Sequence, residues 1–185
     1  MQDYEDFIGE ILVSREMLDR RIREIGEEIN RDYAGQTVHL ICILRGGILF
    51  LSDLMREIRI PVTVDFMAVS SYGASNRQTT GQVRITLDLK GDISQRNVIL
   101  VEDIVDSGYT IKSVLELLET RHPRSLKVCT LLDKPDRREV TVPIHYRGFT
   151  IPNQFVFGYG LDIDEYYRNL PFIAAVDLER YNPEG

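Results

Sequence analysis

The sequence predicts an α/β fold: a mostly parallel twisted sheet with helices on both faces, plus a small irregular hood. Three observations carry that expectation. Short apolar runs rich in β-branched residues recur along the chain, and runs without polar alternation fit strands buried on both faces. Segments with apolar residues at helical spacing stand between these runs, the alternation that builds a parallel sheet. After about residue 140 the pattern turns irregular, so the last part of the chain is expected to pack over the sheet's C-terminal edge.

Each element has a local reason. Ser14 can cap a helix that carries Met17, Leu18, Ile22, Ile25 and Ile29 at helical spacing and stops near Gly35. The arginines and glutamates between them form a solvated face. Val38 to Leu44 is a buried strand, broken by Arg45-Gly46-Gly47, and Ile48 to Ile58 is helical. Pro61 introduces a strand over Val62 to Val69. Ser70 to Gly81 is polar and poor in core formers, which predicts a mobile loop. Val83 to Leu87 alternates like a strand and is expected to pair with the strand before that loop.

Asn97 to Val101 is a further buried strand, and Thr110 to Thr120 a helix with Val114, Leu115, Leu117 and Leu118 on or near one face. Leu126 to Leu132 is another strand, and Asp133 to Glu139 a charged turn. Phe155 to Gly160 follows Pro152 and ends in a glycine-broken turn, and Phe172 to Val176 is a last apolar strand. No repeat, low-complexity tract or linker interrupts the 185 residues, so a single domain over 1–185 is expected.

Composition narrows the function classes. A charge of −7 argues against a general nucleic-acid binder, which needs a basic footprint. No apolar run approaches the length of a membrane span. The acidic start, Met1-Gln2-Asp3-Tyr4-Glu5-Asp6, lacks the basic and apolar regions of a signal peptide, so the cytoplasm is the expected location. Cys42 and Cys129 lie in apolar strand-like runs and read as buried free thiols. His39, His122 and His145 show no metal-ligand spacing.

The most informative stretch runs from Val98 to Thr110. An apolar strand leads to two acids, Glu102 and Asp103, at the edge where open α/β sheets bind ligands. Asp106-Ser107-Gly108-Tyr109-Thr110 then supplies two hydroxyls, a glycine and free N–H groups at a helix start, a place to hold a phosphate. The spaced glycines and Gly-Lys-Ser/Thr ending of a Walker loop are missing. A plain helix cap by Ser107 or Thr110 would account for one hydroxyl. It would not account for three carboxylates within five residues, which repel one another unless a cation or a hydroxylated ligand is near.

This stretch resembles the phosphoribosyl pyrophosphate (PRPP) signature of the type I phosphoribosyltransferases. Further motifs resemble the hypoxanthine-guanine branch of that family, in order, over roughly residues 10 to 180. Leu44-Arg45-Gly46-Gly47 is similar to the branch's pyrophosphate-contacting pair, which implies a cis peptide at Leu44–Arg45. Lys134 matches a lysine that donates to the purine 6-oxo group, and Phe155-Val156 the pair that stacks on and reads the base. Asp162 and Arg168 match an acid that helps hold Mg2+ and an arginine that meets pyrophosphate. Ser71 and Tyr72 match the start of a catalytic lid.

The resemblance implies purine salvage: Mg2+-dependent transfer of the phosphoribosyl group from PRPP to N9 of hypoxanthine or guanine, giving IMP or GMP and pyrophosphate. It implies metal binding by Glu102, Asp103 and Asp162, a 5′-phosphate held by Asp106 to Thr110, and Asp106 as the base that takes the N7 proton. It also implies a homodimer or homotetramer with no nucleic-acid or membrane partner. Two alternatives stay open: a xanthine-preferring enzyme, and a nucleotide-binding regulator on the same fold. The −7 charge and the intact set Arg45, Asp106, Lys134, Asp162 and Arg168 weigh against the regulator.

Overall fold

The computed structural model describes residues 3–71 and 83–182. Its centre is a six-stranded sheet built from β2 (Val38–Leu44), β3 (Val62–Ser71), β4 (Val83–Leu87), β5 (Asn97–Val105), β6 (Ser125–Asp133) and β7 (Tyr146–Thr150), in the order β4-β3-β2-β5-β6-β7. Every neighbouring pair is parallel except β3 and β4, which are antiparallel as the alternation of Val83 to Leu87 suggested.

Strand periodicity divides the core. Leu40, Cys42, Ile99, Val101, Cys129 and Leu131 face one side, where they meet α2 (Arg15–Asp32) and α3 (Ile48–Glu57) through Ile22, Ile25, Ile29, Phe50 and Leu54. Ile41, Ile43, Val98, Leu100 and Val128 face the other side and meet Val114, Leu115 and Leu118 of α4 (Tyr109–Glu119). Alternate residues of one strand thus serve two faces, which is why the strands read as continuous apolar runs. Cys42 and Cys129 are free and buried, as expected.

The capped helix stands as expected, with Ser14 Oγ accepting from Met17 N at 3.4 Å. Met17 itself is exposed, because the buried stripe runs through Leu18, Ile22, Ile25 and Ile29 and Met17 falls outside it. β3 runs on through Ser71, so Ser70 and Ser71 are strand residues held by pairing with β4 rather than loop. The remainder of the expected loop, Tyr72 to Gly81, lies outside the described residues.

Two strands and a short helix were not legible. β1 (Ile8–Val13) follows α1 (Tyr4–Phe7) and is mostly exposed, so it lacks a burial pattern of its own. Its partner is β9 (Ile173–Val176), which also pairs with β8 (Val156–Phe157). The order β1-β9-β8 makes the hood a small antiparallel sheet rather than an irregular tail. β7 joins the main sheet beside β6, where Gly148 lets the backbones close: a Cβ there would lie 2.3 Å from the Leu131 carbonyl oxygen. Among the described residues, no helix is long and apolar enough to cross a membrane.

Candidate active site

Parallel strands carry β2, β5 and β6 to the same edge, and the site forms there. β5 continues past Val101, so Glu102 and Asp103 lie within the strand rather than after it. Glu102 is buried, and its Oε2 has no hydrogen-bond partner among the described residues. Burial pushes its carboxyl well above the usual carboxylate range, and the neighbouring Asp103 adds to the rise. Asp103 is pushed up to about 6, chiefly by burial, with Asp162 adding to the rise while backbone hydrogen bonds and Arg168 oppose it.

The turn after β2 presses against these acids. The peptide between Leu44 and Arg45 is cis, as the family resemblance implied. Gly46 then passes directly over the Asp103 carboxylate. Gly47 is tight as well, since a Cβ there would lie 2.9 Å from Cys42 Sγ.

Beyond β5 the chain turns through Asp106, Ser107 and Gly108 into α4. Gly108 is the N-cap with φ 92°, a left-handed conformation that a side chain would strain. A Cβ there would also come within 2.8 Å of the Val140 carbonyl oxygen. No side chain caps α4. Ser107 and Thr110 instead line a pocket of about 240 Å³ together with Glu102, Asp106 and Gly108. Simple capping therefore does not explain the hydroxyls. The unsatisfied N–H groups and positive dipole end of the first turn favour an anion there. Tyr109 begins the helix and is partly buried.

The charged turn after β6 braces this loop, a role that its sequence as a charged turn does not signal. Arg138 donates to the Asp106 carbonyl at 3.0 Å, to the Val105 carbonyl at 3.2 Å and to buried Asp133. Asp133 is also paired with Arg147 at 2.9 Å. Glu139 N and Val140 N donate to the Ser107 carbonyl at 3.0 and 3.1 Å. Arg137 Nε donates to Asp106 Oδ1 at 3.0 Å. The only prior signal for these arginines was their adjacency to Lys134.

Lys134 is buried, not a surface lysine, and its Nζ donates to the Gln154 carbonyl at 2.7 Å. Burial lowers its pKa, against the pull of Asp106. Gln154 leads into Phe155, whose ring is 52% exposed, and Val156, which is buried in β8. Lys134 and the Phe155-Val156 pair are thereby brought to one place.

The pyrophosphate-like corner lies between β8 and β9. Arg168 pairs with Asp162 at 2.8 Å and donates to the Gly160 carbonyl at 2.8 Å. Gly160 is left-handed, and a Cβ there would lie 2.1 Å from the Gly46 carbonyl oxygen. This corner therefore abuts the Arg45-Gly46 turn. Glu165, which was not singled out from sequence, pairs with both Arg45 and Arg168.

Among the described residues, no three His, Cys, Asp or Glu side chains gather so as to hold a metal ion. Asp162 turns toward Arg168 and accepts from Glu165 N at 2.9 Å, and Asp103 Oδ1 accepts from Ile104 N at 2.8 Å. Glu102, Asp103 and Asp162 do not form a three-carboxylate centre. Ser71 ends β3, and Tyr72 lies outside the described residues.

Comparison with known proteins agrees with this geometry. Residues 11–164 match the model of the phosphoribosyl transferase domain. The chain is 50% identical over 184 residues to the hypoxanthine-guanine phosphoribosyltransferase of Mycobacterium avium, covering 96% of this chain and 90% of that one. It is 47% identical over 171 residues to the hypoxanthine phosphoribosyltransferase of Escherichia coli, covering 91% and 96%. The crystal structure of a hypoxanthine phosphoribosyltransferase from Staphylococcus aureus superposes with a TM-score of 0.92 at 41% identity, covering 97% of this chain and 96% of that chain.

Proposed function

Because the chain belongs to the phosphoribosyl transferase family, we propose that it is a purine-salvage enzyme that transfers the 5-phosphoribosyl group of PRPP to hypoxanthine or guanine. The observation that carries this reading is the uncapped start of α4, where Ser107 and Thr110 line a pocket beside the unpartnered carboxylate of Glu102. A phosphate with an adjoining hydroxylated ribose suits that pairing of donors and acceptor.

Each residue then has a task. The N–H groups and hydroxyls from Asp106 to Thr110 hold the 5′-phosphate. Glu102 and Asp103 accept from the ribose hydroxyls, which relieves the cost of a buried, unpaired carboxylate. Arg45, the Gly46 backbone and Arg168 take up the charge that develops on departing pyrophosphate. Phe155 stacks on the base, the backbone at Val156 reads its edge, and Lys134 Nζ donates to the 6-oxo group. Asp106 accepts the N7 proton as N9 attacks. Ser71 and Tyr72 begin the segment that excludes water from the reacting carbon.

The donor chemistry fits Mg2+, which takes oxygen ligands and is commonly held by one or two carboxylates together with substrate phosphates. Glu102, Asp103 and Asp162 would hold it jointly with PRPP oxygens, consistent with the lack of a protein-only cage. When bound, the ion supplies charge neutralisation at the leaving group. The free buried thiols Cys42 and Cys129 support a reducing compartment, the cytoplasm. A homodimer or homotetramer is inferred from the family resemblance, and light scattering would measure it.

The test is product analysis with PRPP, Mg2+ and each base in turn. IMP from hypoxanthine and GMP from guanine, each with one equivalent of pyrophosphate, are expected. Turnover of xanthine alone would replace this reading with the xanthine-preferring one. No turnover of any base would overturn both.

A further inference from the structure

One carboxylate oxygen, Oε2 of Glu165, pairs with Arg45 Nη1 and with Arg168 Nη2. These are the two cations assigned above to pyrophosphate. We propose that Glu165 is a resident anion that occupies this pair between turnovers and competes with pyrophosphate for it. The proposal rests on the reading of Arg45 and Arg168 as the leaving-group site.

The surroundings suit a carboxylate that comes and goes. The Glu165 backbone is fixed: its N–H donates to Asp162 Oδ2 at 2.9 Å, and Ile163 and Tyr166 form a bridge across it. Its φ of 73° places it in the left-handed region, so this residue is held in a turn that few side chains favour. The side chain is 60% exposed, so it can leave the arginines for water. Arg168 keeps its hold on Asp162 and on the Gly160 carbonyl when Glu165 departs, so the site stays assembled. An exposed pair of this kind contributes little to folding. Its effect falls on whatever other anion the arginines bind.

Two arginines side by side repel each other and bind a polyanion strongly. Affinity shared by substrate and product does not speed the chemical step, and it slows departure of the product. A tethered carboxylate lowers that shared affinity. It leaves when PRPP enters and returns as pyrophosphate goes.

The experiment compares the wild type with Glu165→Gln, and with Glu116→Gln as a charge-matched control on the exposed face of α4. Binding of pyrophosphate with Mg2+ is measured by calorimetry at low and high salt, and pyrophosphate release is followed in single turnovers. Glu165→Gln should bind pyrophosphate about three- to tenfold more tightly and release it more slowly, the range expected when two exposed ion pairs are lost. The difference should shrink at high salt. Affinity equal to that of Glu116→Gln, or weaker than wild type, would overturn the proposal. Absence of pyrophosphate binding by the wild type would instead remove the leaving-group role of Arg45 and Arg168, and the competition with it.

Discussion

A Cβ placed on Gly46 would lie 1.5 Å from Oδ2 of Asp103. The turn after β2 and the acid of β5 therefore touch through a glycine backbone, and no larger residue fits. Gly46→Ala must push either the turn or the carboxylate aside. Displacements of about 1 Å at a reacting centre can cost about 10²-fold. Steady-state kinetics of Gly46→Ala should show kcat/KM for PRPP reduced by at least that order, and activity near wild type would mean that the contact has no catalytic consequence.

Asp106→Asn keeps an oxygen able to accept from Arg137 Nε, a contact now at 3.0 Å, so the loop should hold its shape. The variant cannot take a proton. Turnover should fall about 10²–10⁴-fold while PRPP still binds. Unchanged kcat with guanine would remove Asp106 from the general-base role.

Arg138 makes three hydrogen bonds that tie Val105, Asp106 and Asp133 together. Arg138→Met keeps most of the aliphatic stem and loses all three. Buried Asp133 would then depend on Arg147 alone. Denaturant unfolding should show a loss of about 1.5–3 kcal/mol, the scale of hydrogen bonds to charged groups. KM for PRPP should rise while KM for the base stays near wild type, because the clamp acts on the loop proposed to hold the phosphate. Equal rises in both constants would indicate general loosening instead.

His39 sits at the opposite end of β2 from the site. Its Nδ1 lies 2.7 Å from Thr63 Oγ1, its Nε2 is buried without a partner among the described residues, and Arg96 is 3.4 Å from Nδ1. Burial, reinforced by Arg96 and opposed by Asp65, lowers its pKa below 6.5. The unfolded chain then takes up the proton first as pH falls. The stability attached to neutral His39 is present above about pH 6.5 and is lost as pH drops through the lowered folded value. Thermal melts should show a steeper decline from about pH 7.5 to about pH 5 for wild type than for His39→Gln. Parallel declines would show that His39 does not contribute.

Legibility from sequence followed the range of the causes. The parallel strands and helices were readable because their burial is two-sided or periodic within a few residues, as in Leu40, Cys42 and Ile29. β1 was hidden because Ile11 is exposed and its strand exists only through β9. Within the site, Glu102, Asp106 and Lys134 sat inside compact motifs. Arg138 and Glu165 carried no such mark: one acts on carbonyls of a distant turn, the other on two arginines from separate segments. The three acids were legible, but the pairing of Asp162 with Arg168 and with the Glu165 backbone donor was not, because only folding brings them near.

The pairing of Ile8 with Val176 also has a consequence for synthesis on the ribosome. The phosphate loop and its Arg138 brace are complete once β6 and the turn after it have emerged. The loop bearing Asp162 and Arg168 is enclosed by β8 and β9, and β9 must join β1, which lies far before it in the sequence. That hood sheet waits for β9, and its contacts span a long sequence separation, the slowest kind to form. The half of the site proposed to grip the sugar phosphate therefore matures first during translation. The half proposed to handle the departing group is added only once β9 has emerged, so the nascent chain cannot catalyse before then.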